Sequence, residues 1–404
     1  MSMNRTPRGR NLSHVQETNR SLILKLILEQ GLVNRTDLSR MTGLTPSTVS
    51  NIVNHLLNNG VLVSDGFEGS GVGRRTENLR YNPSSPICLG MRLARNYIRI
   101  ASFSMDGVLR SSDHVEVSDM WHVDDVIESM TSLYQKFVTS PEIEEKTILG
   151  LGIAAPGPLV AETGRVVMIS NFPGWRDVSL SEIFEEYTNL PTIVEHDANA
   201  AVVAEKYFGG HRDNTNMAYV AAGRGIGAGL LVDGTLYRGT YESTGEIGHM
   251  SIDYNGPSCE CGNRGCLELF CSSRTLLHQA KKEISPEISS VKDIEDAATT
   301  GDERARDLLK RNGDFLGIGI VNLINSMGPS TVIIGDELID AGDYWFNNLS
   351  KTVKSRVLPG VWDNVQIKRS ALPDDPVLLG VGIMVLERLF ADPSTLFALD
   401  QQGV

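Results

Sequence analysis

Residues 217–241, MAYVAAGRGIGAGLLVDGTLYRGTY, decide the architecture. Apolar and small residues alternate on both sides of Asp233-Gly234, and Asp-Gly between alternating runs is a strong hairpin signal. The segment has an echo upstream. Residues 87–117, ICLGMRLARNYIRIASFSMDGVLRSSDHVEV, alternate in the same way around Asp106-Gly107. After this first hairpin, Val126, Ile127, Met130, Leu133 and Phe137 recur at helical spacing, and 148–154 is a buried-strand run. Two copies of one hairpin-led unit predict a duplicated, two-lobed α/β fold with a cleft between the lobes. A last amphipathic helix, 377–390, is expected to return and pack on the first lobe.

The chain has 404 residues, too many for one compact core, which sets an expectation of two or three domains. No apolar run approaches the roughly 20 residues that span a bilayer, and the start lacks a signal-peptide pattern. The expected compartment is the cytoplasm, with no membrane partner, and the basic start MSMNRTPRGRN reads as a flexible arm. The net charge of −13 is unevenly spread: residues 1–82 hold 10 Lys+Arg against 6 Asp+Glu, leaving the remainder at −17. A basic head on an acidic body suits local contact with a polyanion, the body being repelled from it.

The first 82 residues read as three helices and a hairpin. Leu22, Ile23, Leu26 and Ile27 mark a helix ended by Gly31, and a short helix from about Asn34 carries Asp37, Leu38 and Met41. Thr42-Gly43-Leu44 is a tight turn, Thr45 an N-cap and Pro46 a first helical residue. The third helix places Val49, Ile52, Val53, Leu56 and Leu57 on one face, and Asn59-Gly60 stops it. A strand at 61–63, a Gly-rich stretch 66–73, Arg74-Arg75 and a strand at 77–81 complete a winged helix-turn-helix. Such units present the N-terminal residues of the second helix of the motif to base edges. Here those are Ser47, Thr48, Ser50 and Asn51, with Arg74 and Arg75 placed for phosphates or a minor groove. Double-stranded DNA is the implied partner.

Of five cysteines, Cys259, Cys261 and Cys266 lie within eight residues, ten to seventeen positions after His249. Three thiols and an imidazole are the ligand set of a structural zinc site, and Gly262 and Gly265 let the backbone turn tightly enough for them to converge. Cys88 and Cys271 have no such context and are expected in the core.

These residues resemble the ROK family, which groups bacterial sugar-responsive repressors with sugar kinases of the actin-like ATPase fold. The resemblance runs from about residue 12 to about 395. It is most specific at Gly245-Glu246-Ile247-Gly248-His249 and in the Cys-x-Cys-Gly-x-x-Gly-Cys-Leu-Glu run ending at Glu268. The resemblance implies a head at 1–82, a first lobe at 83–200 completed by 377–395, and a second lobe with the zinc site at 201–376. It also implies sugar contacts from Asn171, Asp197, Glu246, His249 and Glu268, His249 serving zinc with one nitrogen and sugar with the other. Asp197 is the position of the kinases' general base.

Departures from the kinases carry as much weight. Where they have an Asp, two glycines and a Thr handling Mg²⁺ and phosphate, this chain has Arg92, Ala94, Arg95 and Asn96. Arg224 interrupts the glycines of 223–227, and Asp336 alters a glycine pair. A metal–nucleotide site needs carboxylate and close backbone approach, so no kinase activity is expected and no residue is assigned as catalytic. The expectation is a homodimeric or tetrameric transcription regulator, a repressor by its resemblance, relieved by a hexose or N-acetylhexosamine, free or phosphorylated, with Asp197 favouring the unphosphorylated sugar. An active kinase with a DNA-binding head, or a repressor held by a phosphotransferase protein, are the alternatives.

Overall fold

The structure is a computed structural model and describes residues 12–68, 76–84, 86–118, 120–169, 172–240 and 244–392. The basic start, the wing residues Arg74 and Arg75, and Asn171 lie outside the described residues.

The head is α1 (Leu12–Gln30), β1 (Val33–Asn34), α2 (Arg35–Thr42), α3 (Pro46–Asn58), β2 (Leu62–Glu68) and β3 (Thr76–Tyr81). Local chemistry sets its corners. The Asn34 side chain caps α2 by accepting from the Asp37 N–H, and Gly43 ends it at φ +70°. Thr45 caps α3 by accepting from the Thr48 N–H, with Pro46 at the first turn. Two details differ from the expectation. β2 runs to Glu68 rather than stopping at 63, because a bulge between Ser64 and Phe67 takes up Gly66 at φ +86° without breaking the pairing. The two-residue β1, too short for any periodicity, makes the hairpin a three-stranded sheet of order β1-β3-β2.

The body begins with β4 (Ile87–Leu93), β5 (Tyr97–Ser104), β6 (Leu109–Glu116), α4 (Val123–Val138) and β7 (Ile148–Ala155). It continues through β8 (Leu159–Val160), β9 (Arg165–Met168), β10 (Arg176–Ser179), α5 (Leu180–Thr188), β11 (Thr192–His196) and α6 (Asp197–Phe208). The second half holds β12 (Met217–Ala222), β13 (Ile226–Val232), β14 (Thr235–Leu236), α7 (Glu268–Cys271), α8 (Ser273–Glu283), α9 (Val291–Thr299) and α10 (Glu303–Met327). β15 (Thr331–Gly335), α11 (Gly342–Arg356), β16 (Gln366–Arg369) and α12 (Pro376–Ala391) finish the described chain.

Two five-stranded sheets result, ordered β11-β7-β4-β5-β6 and β16-β15-β12-β13-β14. The orders match strand for strand, with antiparallel hairpins on one side and parallel strands on the other in both. The duplication read from the two Asp-Gly hairpins is therefore present as two sheets of one topology. β4 is buried along its whole length, as a strand covered on both faces must be, whereas edge strand β6 alternates half-buried and exposed.

Between the sheets lie α6 and α12. α12 packs on β4 and β7, α6 on β12 and β13, and the two helices pack on each other. Their approach is close enough that a Cβ on Gly380 would stand 1.7 Å from the Ala200 carbonyl oxygen. The expected lobe boundary at 200 falls inside α6, which runs unbroken through it. Among the described residues, the core of the head is continuous with that of the body. Tyr81 stacks on Phe390 of α12 at 5.6 Å and donates to the Leu24 carbonyl of α1 at 2.6 Å, so one apolar cluster joins head, α6 and α12.

Candidate functional site

On the head, Val49, Ile52, Val53 and Leu56 of α3 are buried, which turns its opposite face outward. Ser47 and Asn51 are exposed there, and Thr48 and Ser50 half-buried. The Ser47 and Thr48 hydroxyls both lie 2.9 Å from the Thr45 hydroxyl, so the cap orders them while leaving lone pairs free. The preceding helix adds a cation that sequence reasoning did not single out: Arg40 is highly exposed, 2.7 Å from Asp37.

Between the lobes a cavity of about 390 Å³ gathers Asp197, Glu246, His249 and Glu268, four of the five residues expected at a sugar site. Asp197 opens α6, and its carboxylate accepts from the Ala198 N–H at 2.6 Å. Glu246 precedes the short turn Ile247–His249, and Glu268 opens α7, 3.8 Å from His249 Nδ1. The fifth, Asn171, lies outside the described residues; its neighbours Phe172 and Trp175 stack at 5.7 Å.

His196, missed in the sequence, lies between these acids. Its Nδ1 is 3.4 Å from Asp197 and its Nε2 3.7 Å from Glu246. Burial opposes charge on this ring, but Asp197, Glu246 and Glu195 outweigh it and raise its pKa. Burial likewise pushes the Glu246 carboxyl up, against the pull of His196 and His249. Buried Glu195 fixes the corner between β11 and α6. It accepts from the His196 N–H and the Asn199 amide at 2.9 Å each, and from Arg238 of the other lobe at 2.9 Å. The one sequence signal for His196 was its adjacency to Asp197; nothing local said that Arg238 would reach Glu195.

The other end of the cavity is lined by ion pairs of the protein itself. Arg92 places Nη1 3.0 Å from both carboxylate oxygens of Asp375 and Nη2 3.3 Å from Asp336. Each glycine of the 223–227 loop backs an ionisable side chain. A Cβ on Gly223 would meet Asp336 at 2.7 Å, one on Gly225 would meet Arg95 at 3.2 Å and Glu268 at 3.6 Å, and one on Gly227 would meet His196 at 3.1 Å. Asp336 holds φ +75°, ψ −167°, a region that is essentially glycine's. The backbone has kept a glycine's shape while its side chain carries a carboxylate.

Beside the cleft, His249, Cys259, Cys261 and Cys266 bring their ligand atoms within 4.8 Å of one another. Cys261 Sγ lies 3.7 Å from Cys266 Sγ, and Cys259 Sγ 3.7 Å from His249 Nδ1. Gly265, at φ +64°, permits the convergence: a Cβ there would stand 1.7 Å from the Asp253 carbonyl oxygen. This cluster can hold a metal ion. Cys88 and Cys271, by contrast, are fully buried away from it.

Comparison with known proteins agrees with the geometry. A model of winged helix-turn-helix DNA-binding domains matches residues 17–63, and the ROK family model matches residues 88–388. A xylose repressor of Bacillus spizizenii is 33% identical over 92% of this chain and 96% of its own length. A Thermotoga maritima glucokinase is 33% identical over 59% of this chain and 80% of its own. A crystal structure of a ROK family transcriptional regulator homologous to E. coli MLC superposes with a TM-score of 0.79 at 26% identity, covering 95% of this chain and 98% of that one. With a winged head, two sheets of one topology and a matched family model spanning the body, the chain belongs to the ROK family.

Proposed function

We propose that the protein is a DNA-binding repressor of carbohydrate genes, controlled by a sugar in the interlobe cleft and without kinase activity. The observation that carries this is the contrast between the two ends of one cavity. Asp197, Glu246, His249 and Glu268 converge as donors and acceptors for vicinal hydroxyls, and leaving such groups buried and unpaired costs about 1–3 kcal/mol each. A ligand that satisfies them together is a polyol. At the other end, Arg92 is already paired with Asp336 and Asp375, and the Asp336 carboxylate lies against Gly223, where it would repel a phosphate chain. Asp197 then orients a sugar hydroxyl with no phosphoryl group to receive it.

In this reading α3 docks in a major groove through Ser47, Thr48, Ser50 and Asn51, and Arg74 and Arg75 act on the wing. Asn171 completes the sugar site. The chain divides functionally into the head at 1–82, a lobe at 83–200 closed by 377–395, and a lobe at 201–376, and acts in the cytoplasm as a homodimer or dimer-based tetramer on two-fold operators. The metal is zinc. Three thiols and an imidazole gathered within 4.8 Å are a donor set that would suit zinc. Zinc would be held by His249, Cys259, Cys261 and Cys266, and it would pin the turn that carries His249 to the start of α7 that carries Glu268. The relatives named xylose repressors make an aldopentose the first sugar to test, beside hexoses and N-acetylhexosamines.

The experiment is a thermal-shift panel with D-xylose, D-glucose and N-acetylglucosamine, run beside a mobility-shift titration and a coupled ADP-release assay. At least one sugar raises the melting temperature and weakens DNA binding, and ADP release stays at background. Turnover of ATP, or failure to retain any promoter fragment, defeats the proposal.

A further inference from the structure

The cleft and the head are joined by two helices that begin in the one and end at the other. α6 starts at Asp197, and Phe208 at its far end lies with Ile383 and the α1 residue Leu28 around Gly107. α12 starts at its N-cap Asp375, whose carboxylate accepts from the Val377 and Leu378 N–H groups at 3.0 and 3.3 Å. Its 16 residues span about 24 Å, and Phe390 near its end stacks on Tyr81, the residue that closes the wing sheet. The helices have no slack between them: Gly380 abuts the Ala200 carbonyl, and Tyr207 donates to Glu387 at 2.6 Å. A displacement at either N-terminus is therefore delivered to the base of the head.

Arg92 stands where such a displacement would start. Its guanidinium grips both oxygens of Asp375 with one nitrogen and reaches Asp336, in the opposite lobe, with the other. Three residues on, in the turn between β4 and β5, Arg95 extends into the sugar cavity beside Glu268, next to Gly225. A ligand that takes the hydrogen-bonding capacity of Glu268 must meet Arg95, and Arg95 stands three residues beyond Arg92, in the turn into which β4 leads. Asp336 is held in a backbone conformation that is essentially glycine's and that persists only where the surroundings enforce it. The contact across the lobes is thus loaded on one side and tied to α12 on the other.

The geometry points to Arg92 as the positioning residue that couples cleft to head: its bond to Asp336 reports how the lobes stand, and its bond to Asp375 passes that position along α12 to Tyr81 and the wing. This rests on the sugar-responsive reading above and assigns the route by which the response travels. Coupling needs two states that the sugar binds unequally, and a cross-lobe ion pair made in one and broken in the other supplies the difference.

The test uses the full-length protein with Asp336→Asn, which keeps the side-chain volume and the Arg92–Asp375 cap while removing the cross-lobe charge. Sugar affinity is read by calorimetry with D-xylose and D-glucose. DNA affinity is read by fluorescence anisotropy on a fragment selected by the wild-type protein from a random pool, with and without sugar. Wild type should show at least a tenfold sugar-dependent change in DNA affinity. Asp336→Asn should keep each separate affinity within about threefold and reduce the sugar effect below twofold. Arg99→Met, which breaks the neighbouring Arg99–Asp374 pair at 2.9 Å, should leave the sugar effect intact. A full sugar response in Asp336→Asn overturns the coupling role alone. Equal loss in Arg99→Met also overturns it, by showing that any charge removed there has the same effect. Loss of sugar binding in Asp336→Asn reassigns Asp336 to the binding site and overturns it too. A wild-type protein that binds no sugar sinks the parent reading and this one together.

Discussion

Loading the His249, Cys259, Cys261 and Cys266 cluster with zinc should release protons. Burial and the neighbouring thiols push Cys266 up to about 12, and burial raises Cys259 as well, so without a cation both sulfurs are protonated thiols at neutral pH. A zinc ligand must be a thiolate. Loading the apo protein at pH 7 therefore expels at least the Cys259 and Cys266 protons, two per ion. Titration of chelator-stripped protein with ZnCl₂ in buffers of different ionisation enthalpy measures this directly, since the slope of apparent against buffer enthalpy is the proton count. The same ion should stabilise the fold: at 100 times the dissociation constant, mass action adds about 2.7 kcal/mol. Cys266→Ser removes a fully buried ligand and should abolish one-to-one stoichiometry while leaving the head folded. Release of fewer than one proton per ion would refute the argument, because the thiols would then not be ligands.

Gly380→Ala should be far more damaging than a helical Gly-to-Ala change elsewhere, because its Cβ would stand 1.7 Å from the Ala200 backbone oxygen and α6 and α12 must part to admit it. Overpacking of this kind costs about 1–3 kcal/mol or more, read as a lowered denaturant midpoint; an unchanged midpoint would show that the two helices slide freely. Burial raises the Asp336 carboxyl to about 6 despite Arg92, against about 3.9 in an unfolded chain, so its contribution to stability is complete below pH 3.9 and disappears as pH rises through 6. Wild type should lose up to about 3 kcal/mol relative to Asp336→Asn between pH 4 and pH 7, and parallel stability curves for the two proteins would contradict this.

Much of the fold was legible because its signals are local. An Asp-Gly pair between alternating runs marks a hairpin whatever surrounds it, and both hairpins of the body lie where Asp106 and Asp233 put them. The Thr45 cap and Pro46 fixed the start of α3 for the same reason, and the cysteine spacing contained the His249, Cys259, Cys261 and Cys266 cluster that can hold a metal. What stayed hidden is non-local. Arg92 and Asp375 are 283 positions apart, and no periodicity connects them. Arg92 read only as a lost kinase acid, and its new partners became visible when α12 was seen to return between the sheets. β1 is two residues long and exists because β3 offers it an edge. The fusion of the head core with the body depends on Tyr81 meeting Phe390, two apolar residues that any core could have used.

The Gly-rich loop at 223–227 shows why such a motif is weak evidence for nucleotide chemistry. A glycine is required wherever a Cβ would collide, whether the neighbour is a phosphate or a side chain. Here the neighbours are Asp336, Arg95 with Glu268, and His196, so the glycines would be needed even if no nucleotide ever entered. Asp336 makes the same point from the other side. It sits in a backbone shape that a glycine would adopt freely, in a burial that disfavours its charge, and so is unfavourable on both counts for stability alone. What Asp336 does make is an ion pair across the cleft, to Arg92 at 3.3 Å. In this cleft that pair is made by the protein's own side chains.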